Sequence, residues 1–523
     1  MTLTNLLRRP VVALVLALGF ALPAPAAEDP VALRDEAFQA AQWALTTSAS
    51  QALAQMGARF AAGDSALSGI VRQRQDLVEA WRNKDKQLLD ALGRGDGDAP
   101  ALSARLRAEL ADIAAKISGI DADLAAKFPE YAELSNPKPL SIPDVQKLLR
   151  PGEALLLFLV TVEESYVWAI SPDKAGWTRV GTGAEALGEA VRKLRSTLDP
   201  SGSTRATESA FGEAVAEGGT PFDRATAHEL YVNYLAPVAD VLDGANSLLI
   251  VADGAFTSLP LSVLVTDTPE GDDADPEALR ATPWLIKKYA LTTLPAVSSL
   301  KALRLFQKKA EASEPFRGFG SPHLLGRAGA SEAGSGDVEV ASRGVRAAST
   351  YFRGRYADVD VVRQLEPLPA TENELRRMAE ALGADPAKAL ALGDNATETA
   401  VKTAALSDAR ILAFATHGLL TGELTGLSEP ALVFTPPKEA TDIDDGLLTA
   451  SEAAQLKLGA DWVVLSACNT AAGDGTPGAE GLSGLARAFL YAGARAILVS
   501  HWPVRDDAAA ALTTGAFARL TTE

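Results

Sequence analysis

The sequence predicts an α/β protein with a mostly parallel sheet, preceded by a helical hairpin. From Ala154 onward, short β-branched runs alternate with helical patterns, as in sheets flanked by helices. Before that point apolar residues recur every three or four positions, the period of helices packed along one face. A proline-rich stretch, "FPEYAELSNPKPLSIPDVQKLLRPGEA", joins the two regions.

The chain opens "MTLTNLLRRPVVALVLALGFALPAPAAEDP". Arg8 and Arg9 precede an apolar segment from Val11 to Leu22, and Ala24-Pro25-Ala26 offers small residues to a peptidase. This predicts a signal peptide over 1–26, and the mature chain is expected to be exported, periplasmic or secreted. The apolar segment is short beside the roughly 20 residues of a membrane span, and no stable span is expected after cleavage. The formal net charge is −18, and losing two arginines takes it to about −20, a surface that repels polyanions. Nucleic-acid binding is therefore not expected.

Residues 27–135 are expected to form a helical, coiled-coil-like hairpin domain. In "ALSARLRAELADIAAKISGIDADLAAKF", Leu102, Leu106, Leu110, Ile113, Ile117, Ile120, Leu124 and Phe128 make one apolar stripe. Leu67, Ile70, Val71, Leu77, Val78, Trp81, Leu88 and Leu92 make another, and "GRGDGDAP" between them reads as a turn. An earlier helix over about Pro30 to Phe60 is expected to lie against this pair. No repeat near a period of about 34 residues is evident.

Strands are expected at "ALLLFLVTV", "SYVWAI", "WTRV", "SLLIVA", "YALTTL", "ARILAFATHG", "PALVFT", "DWVVLSAC" and "ARAILVS". Helices are expected near Ala184 to Leu198 and Asp223 to Leu235. Thr266 to Thr282 and Ser321 to Arg343 read as mobile loops.

The chain has one cysteine and four histidines. An unpaired thiol in an oxidising compartment is expected to be either well buried or useful. His228 and His323 read as structural or surface residues. His417, His501 and Cys468 each follow a strand, and in a parallel sheet such residues share the carboxyl edge where ligands collect. A neutral imidazole can take the proton of a nearby thiol, leaving the attacking thiolate. Gly418 would let the main chain approach a developing oxyanion. The loop Gly473-x-Gly475-x-x-Gly478 has dinucleotide-binding spacing, but it stands away from its strand, contains Pro477 and lacks a following acidic residue. "GLSGL" is not a serine elbow, since Leu485 stands where glycine is needed.

"ARILAFATHG", "DGLLTASEAAQLKLGADWVVLSACNTAAGDG" and "GAEGLSGLARAFLYAGARAILVSHWPVRDD" resemble, in order and spacing, the hallmark segments of CHAT-domain proteins. These belong to the caspase-like cysteine peptidase clan with separase, gingipain and clostripain. Weaker likenesses, "LPATENEL" among them, extend the resemblance over about Pro143 to Leu520. It implies a caspase-like α/β/α sandwich over 136–523, with a pseudo-domain half at about 140–310 and a catalytic half at about 345–523. It also implies a dyad of His417 and Cys468, with oxyanion N–H groups from Gly418 and Cys468. Ser500, His501 and Trp502 become candidate walls of the substrate pocket, and Asp506 and Asp507 candidates for attracting a basic P1 side chain. No cofactor or metal is expected. The leading expectation is a cysteine endopeptidase acting on protein or peptide substrates. The alternatives are a catalytically silent scaffold that binds a protein partner through its helices, and a thiol-dependent hydrolase or transferase with a non-peptide substrate.

Overall fold

The structure, a computed structural model, describes residues 29–45, single positions between 70 and 88, 99–127, 139–198, 221–305, 312–325, 352–353, 356–419, 429–441, 443–467, 484–501 and 506–520. The leader, residues 93–98 of the expected turn, residues 326–343, Cys468 with the glycine loop after it, and Trp502 lie outside these.

Helix α1 (Pro30–Ala44) starts where Asp29 accepts a hydrogen bond from the Val31 N–H and proline takes the first helical position. Part of its apolar surface packs on the sheet that follows. Phe38 and Ala41 are buried with Val145, Leu155 and Trp168, and the Gln42 amide exchanges two 2.9 Å hydrogen bonds with the Leu140 backbone. The helix expected over about Pro30 to Phe60 thus packs on the sheet over its described part, and residues 46–60 lie outside the described residues. The long helices do pair: α2 (Ala99–Lys127) meets the preceding helical segment through Arg74–Asp121 and Lys84–Glu109. As one partner number rises the other falls, so the two run antiparallel. Leu88, Leu106, Leu110 and Trp81 fill the seam, whereas Leu102, expected on the stripe, is exposed.

Helix α3 (Ile142–Leu148) leads into strands β1 (Glu153–Val160), β2 (Ser165–Ile170) and β3 (Ala175–Val180). Helices α4 (Ala184–Leu198) and α5 (Arg224–Tyr234), strands β4 (Ser247–Val251) and β5 (Ala290–Thr293), and α6 (Val297–Leu305) complete this half. The sheet runs β3-β2-β1-β4-β5, an antiparallel meander joined to two parallel strands. α4 and α5 cover one face, while α1, α3 and α6 cover the other. The acidic segment Thr266 to Thr282, expected to be mobile, is fastened. Arg224, fully buried, pairs with Asp273 at 2.5 Å and donates to the carbonyls of Glu270, Gly271 and Ala278 and to the Thr282 hydroxyl. A guanidinium spreads several donors in a rigid fork, so one side chain can hold several points of a loop.

The second half contains β6 (Glu314–Pro322), α7 (Pro369–Ala381), β7 (Leu390–Gly393), α8 (Glu398–Thr403) and β8 (Ala409–Ala415). After these come β9 (Gly418–Leu419), β10 (Ala431–Val433), β11 (Leu447–Thr449), α9 (Ala450–Ala453), β12 (Trp462–Ser466), α10 (Gly484–Ala492), β13 (Ala496–Leu498) and α11 (Asp506–Leu520). The sheet order is β13-β12-β8-β6-β7 with every pair parallel. α7 and α11 pack on one face through Leu375, Met378 and Phe517, and α10 on the other through Leu485 and Phe489. The result is an α/β/α sandwich of the caspase-like kind. β9, β10 and β11 form a separate antiparallel sheet, so "PALVFT" does not join the main one.

β6 lies inside this sheet, so the polypeptide of this half starts upstream of the boundary expected at about residue 345. Gly320 pairs with Ala415 of β8, and a Cβ there would stand 2.4 Å from the Ala415 carbonyl oxygen. Glycine is required by that approach, not by turn geometry.

A buried charged group ties α8 to β11 and α9. Lys402 pairs with Glu398 at 2.5 Å and Glu452 at 2.8 Å, and Glu398 also accepts from the Asp445 N–H. Burial works against the Lys402 ammonium, but its hydrogen bonds to the Glu398 and Glu452 side chains leave it above its ordinary value. Burial dominates at Glu398 and pushes its carboxyl up to about 8 despite Lys402. The folded chain therefore keeps a proton between the ordinary carboxyl value and about 8 that the unfolded chain releases. This contribution to stability is full below about pH 4.5 and falls as pH rises to about 8. Glu398→Gln, which cannot ionise, is expected to gain a few kcal/mol relative to wild type between about pH 5 and 9. Denaturant unfolding at the two pH values checks this; parallel curves for the two proteins would refute it.

Candidate active site

Parallel register builds the site. β8 and β12 pair with Ala415 opposite Ser466, and the ladder closes where the Thr416 N–H donates to Ser466 O at 3.3 Å. His417 stands two residues beyond Ala415, and Cys468 two residues beyond Ser466.

His417 is 8% exposed and held on three sides. The Val433 N–H donates to its carbonyl at 2.9 Å, and the hydroxyl of Thr416 donates to Val433 O at 2.5 Å, fixing the backbone on both sides of the imidazole. The ring's Nε2 lies 2.7 Å from Glu366 O. A carbonyl only accepts, so Nε2 carries the hydrogen and the neutral ring leaves Nδ1 as its basic atom. Glu366 precedes Pro367 in "Glu-Pro-Leu-Pro", and a residue before proline is confined to extended geometry, which limits where that carbonyl can point. Beneath, Phe414 stacks on Phe319 at 5.5 Å between centroids and meets Phe489 at 5.1 Å, so the strand under His417 is anchored in dense core.

Gly418 opens β9 and is buried. Ser500 turns out to be a tie: its hydroxyl donates to Ala467 O at 2.7 Å. The His501 carbonyl accepts from Arg195 of α4 at 3.3 Å, and Arg495 donates to Leu303 O at 3.0 Å, so the two halves meet beside the site. The His501 ring has Nδ1 buried without a hydrogen-bond partner. Burial, with Arg195 adding to it, pushes this imidazole down to about 4, and it is neutral at ordinary pH. Asp506 and Asp507 begin α11. His228 and His323 stand apart: the first contacts Val265 O at 3.0 Å, and the second makes an exposed pair with Asp394.

Two contributors were not singled out from sequence. Glu366 acts through its backbone, which no side-chain pattern reveals. Glu374, 1% exposed, accepts from Ser466 Oγ at 3.2 Å and Thr513 Oγ1 at 2.6 Å. It shares a stripe with buried Thr371, Leu375 and Met378, and a charged residue on an apolar helical stripe was the available signal.

Among the described residues no group of three or more His, Cys, Asp or Glu is placed to hold a metal ion, and no helix is long and apolar enough to cross a membrane. The chain is similar to tetratricopeptide repeat protein 28 of Mus musculus, 33% identical over 168 residues, which are 26% of this chain and 6% of that protein. The Homo sapiens protein of that name is 32% identical over 165 residues, with the same shares. The chain thus spans about 6% of the length of these curated relatives. A family model described as "CHAT domain" matches residues 224–523. That match takes in the whole all-parallel sheet with His417 and Cys468 and covers more than half of the sequence, and the chain belongs to the CHAT domain family.

Proposed function

We propose that this chain is an exported cysteine endopeptidase in which His417 and Cys468 form the catalytic dyad. The observation that carries the reading is the placement of His417: buried at the carboxyl end of β8, with Nε2 donating to Glu366 O, so that Nδ1 is the basic atom of the ring. Cys468 follows the paired strand at the matching offset. The thiol proton passes to Nδ1, and the thiolate attacks the scissile carbonyl carbon to form a C–S bond. The N–H groups of Gly418 and Cys468 stabilise the oxyanion. The imidazolium then donates its proton to the leaving amine as the C–N bond breaks, and His417 activates the water that hydrolyses the thioester. Ser500 and His501, which follow β13, and Trp502 next to them in sequence are the candidate wall of the substrate pocket, and Asp506 and Asp507 are the candidates for favouring a basic P1 residue. With its ring neutral, His501 adds no positive charge to oppose such a residue.

Profiling a peptide library with wild-type and Cys468→Ala protein tests the reading. Cleavage by wild type alone is expected; cleavage patterns that survive in Cys468→Ala would sink it. Export is tested by N-terminal sequencing of the protein from the extracytoplasmic fraction. The expected first residue is Ala27, and an intact Met1 in the cytoplasmic fraction would refute export.

The antiparallel pairing of α2 favours a second reading, a scaffold that docks a protein partner on these helices without turnover. Partner capture by wild type and Cys468→Ala alike, with no peptide cleaved by either, would establish it.

A further inference from the structure

We propose that Glu374 is a positioning residue for the nucleophile, fixing the strand end from which Cys468 extends. The proposal rests on the dyad reading above. The last two described residues before Cys468 are gripped from different elements. Ser466 Oγ donates to Glu374 on α7, while Ala467 O accepts from Ser500, which follows β13. The second oxygen of Glu374 takes the hydroxyl of Thr513 on α11, the helix that continues from the candidate pocket segment. One carboxylate thus fastens β12 to the element carrying the pocket. The segment leading into α7 also supplies Glu366 O to His417. Both limbs of the dyad are therefore referenced to the same rigid piece of chain.

A buried carboxylate carries a large desolvation penalty, which its hydrogen bonds have to offset. A carboxylate that receives hydroxyl donors on both oxygens defines direction, which apolar packing does not. The separation of a thiol from an imidazole needs such definition, because small displacements at a reacting pair cost large factors in rate.

Cys468 is the only cysteine in the sequence, so alkylation of the full-length protein by iodoacetamide reports on that thiol alone. Its rate, followed from about pH 5 to 9, gives the midpoint of thiolate formation whether or not a peptide is cleaved. In wild type the midpoint is expected well below the ordinary value of about 8.5, and in His417→Ala near it. Glu374→Gln and Ser466→Ala are expected in between, with labelling at about pH 6.5 slowed roughly fivefold to tenfold and with cooperative thermal unfolding retained. If both profiles superimpose on wild type while that of His417→Ala is displaced, Glu374 only packs and the dyad stands. A downward displacement in Glu374→Gln, the sign expected from merely removing a nearby negative charge, overturns the proposal too. Coincident profiles for wild type and His417→Ala remove the dyad, and the positioning role with it. Should Glu374→Gln fail to fold, Ser466→Ala decides alone, since that hydroxyl is small and only partly buried.

Discussion

His417→Ala is expected to lower peptide cleavage about a thousandfold and to abolish labelling of Cys468 by a peptidyl acyloxymethyl ketone. The imidazole does two jobs in the proposed cycle: it takes the thiol proton before attack and returns it to the leaving amine. Alanine removes both while leaving the strand ladder in place, because Thr416 and Val433 hold this backbone through main-chain groups and the Thr416 hydroxyl. Little loss of stability should accompany the loss of rate. Mass spectrometry of the labelled peptide and initial rates on a cleaved substrate measure the two effects. A His417→Ala protein that still labels at the wild-type rate would show that another group activates the thiol.

Gly320→Val is expected to remove about 4 kcal/mol or more of stability, enough to unfold a typical domain in part. The added Cβ would lie 2.4 Å from Ala415 O and 2.8 Å from the Leu375 side chain. The first contact is backbone against backbone, where neither side can swing away. β6 and β8 would have to separate at the register point two residues before His417, so damage to the site is expected even in molecules that remain folded. Denaturant titration and the labelling assay measure both. A Gly320→Ala protein of wild-type stability and labelling rate would contradict the close apposition of these strands.

These expectations also mark how far the sequence was legible. Strands written in branched and aliphatic residues, such as "SLLIVA" and "WVVLSAC", were identified because their composition and period match buried parallel strands. β6 was not, because "PFRGFGSP" spends its glycines on a neighbouring strand, and local propensity treats glycine as a breaker. The Thr266 to Thr282 segment looked mobile by composition, yet Arg224, distant in sequence, fastens it. His417 was singled out because a histidine at a strand end followed by glycine is a local pattern, and the structure buries it at that strand end. Glu366 O, Glu374 and the Ser500 tie were not, since each depends on pieces of chain brought together only by the fold.

The order of strands in the all-parallel sheet bears on how the protein is made. β6 and β8 lie inside, and β12 and then β13 are added outward along one side in the order in which they leave the ribosome. The hydroxyl that holds Ala467 belongs to Ser500, close to the end of the sequence. During synthesis His417 leaves the ribosome before Cys468, and the tie on Ala467 cannot form until Ser500 has emerged as well. The outer strand on that side, β13, is thus the last of the strands of this sheet to be made, and the bond that fixes the Ala467 carbonyl comes with the residues just after it.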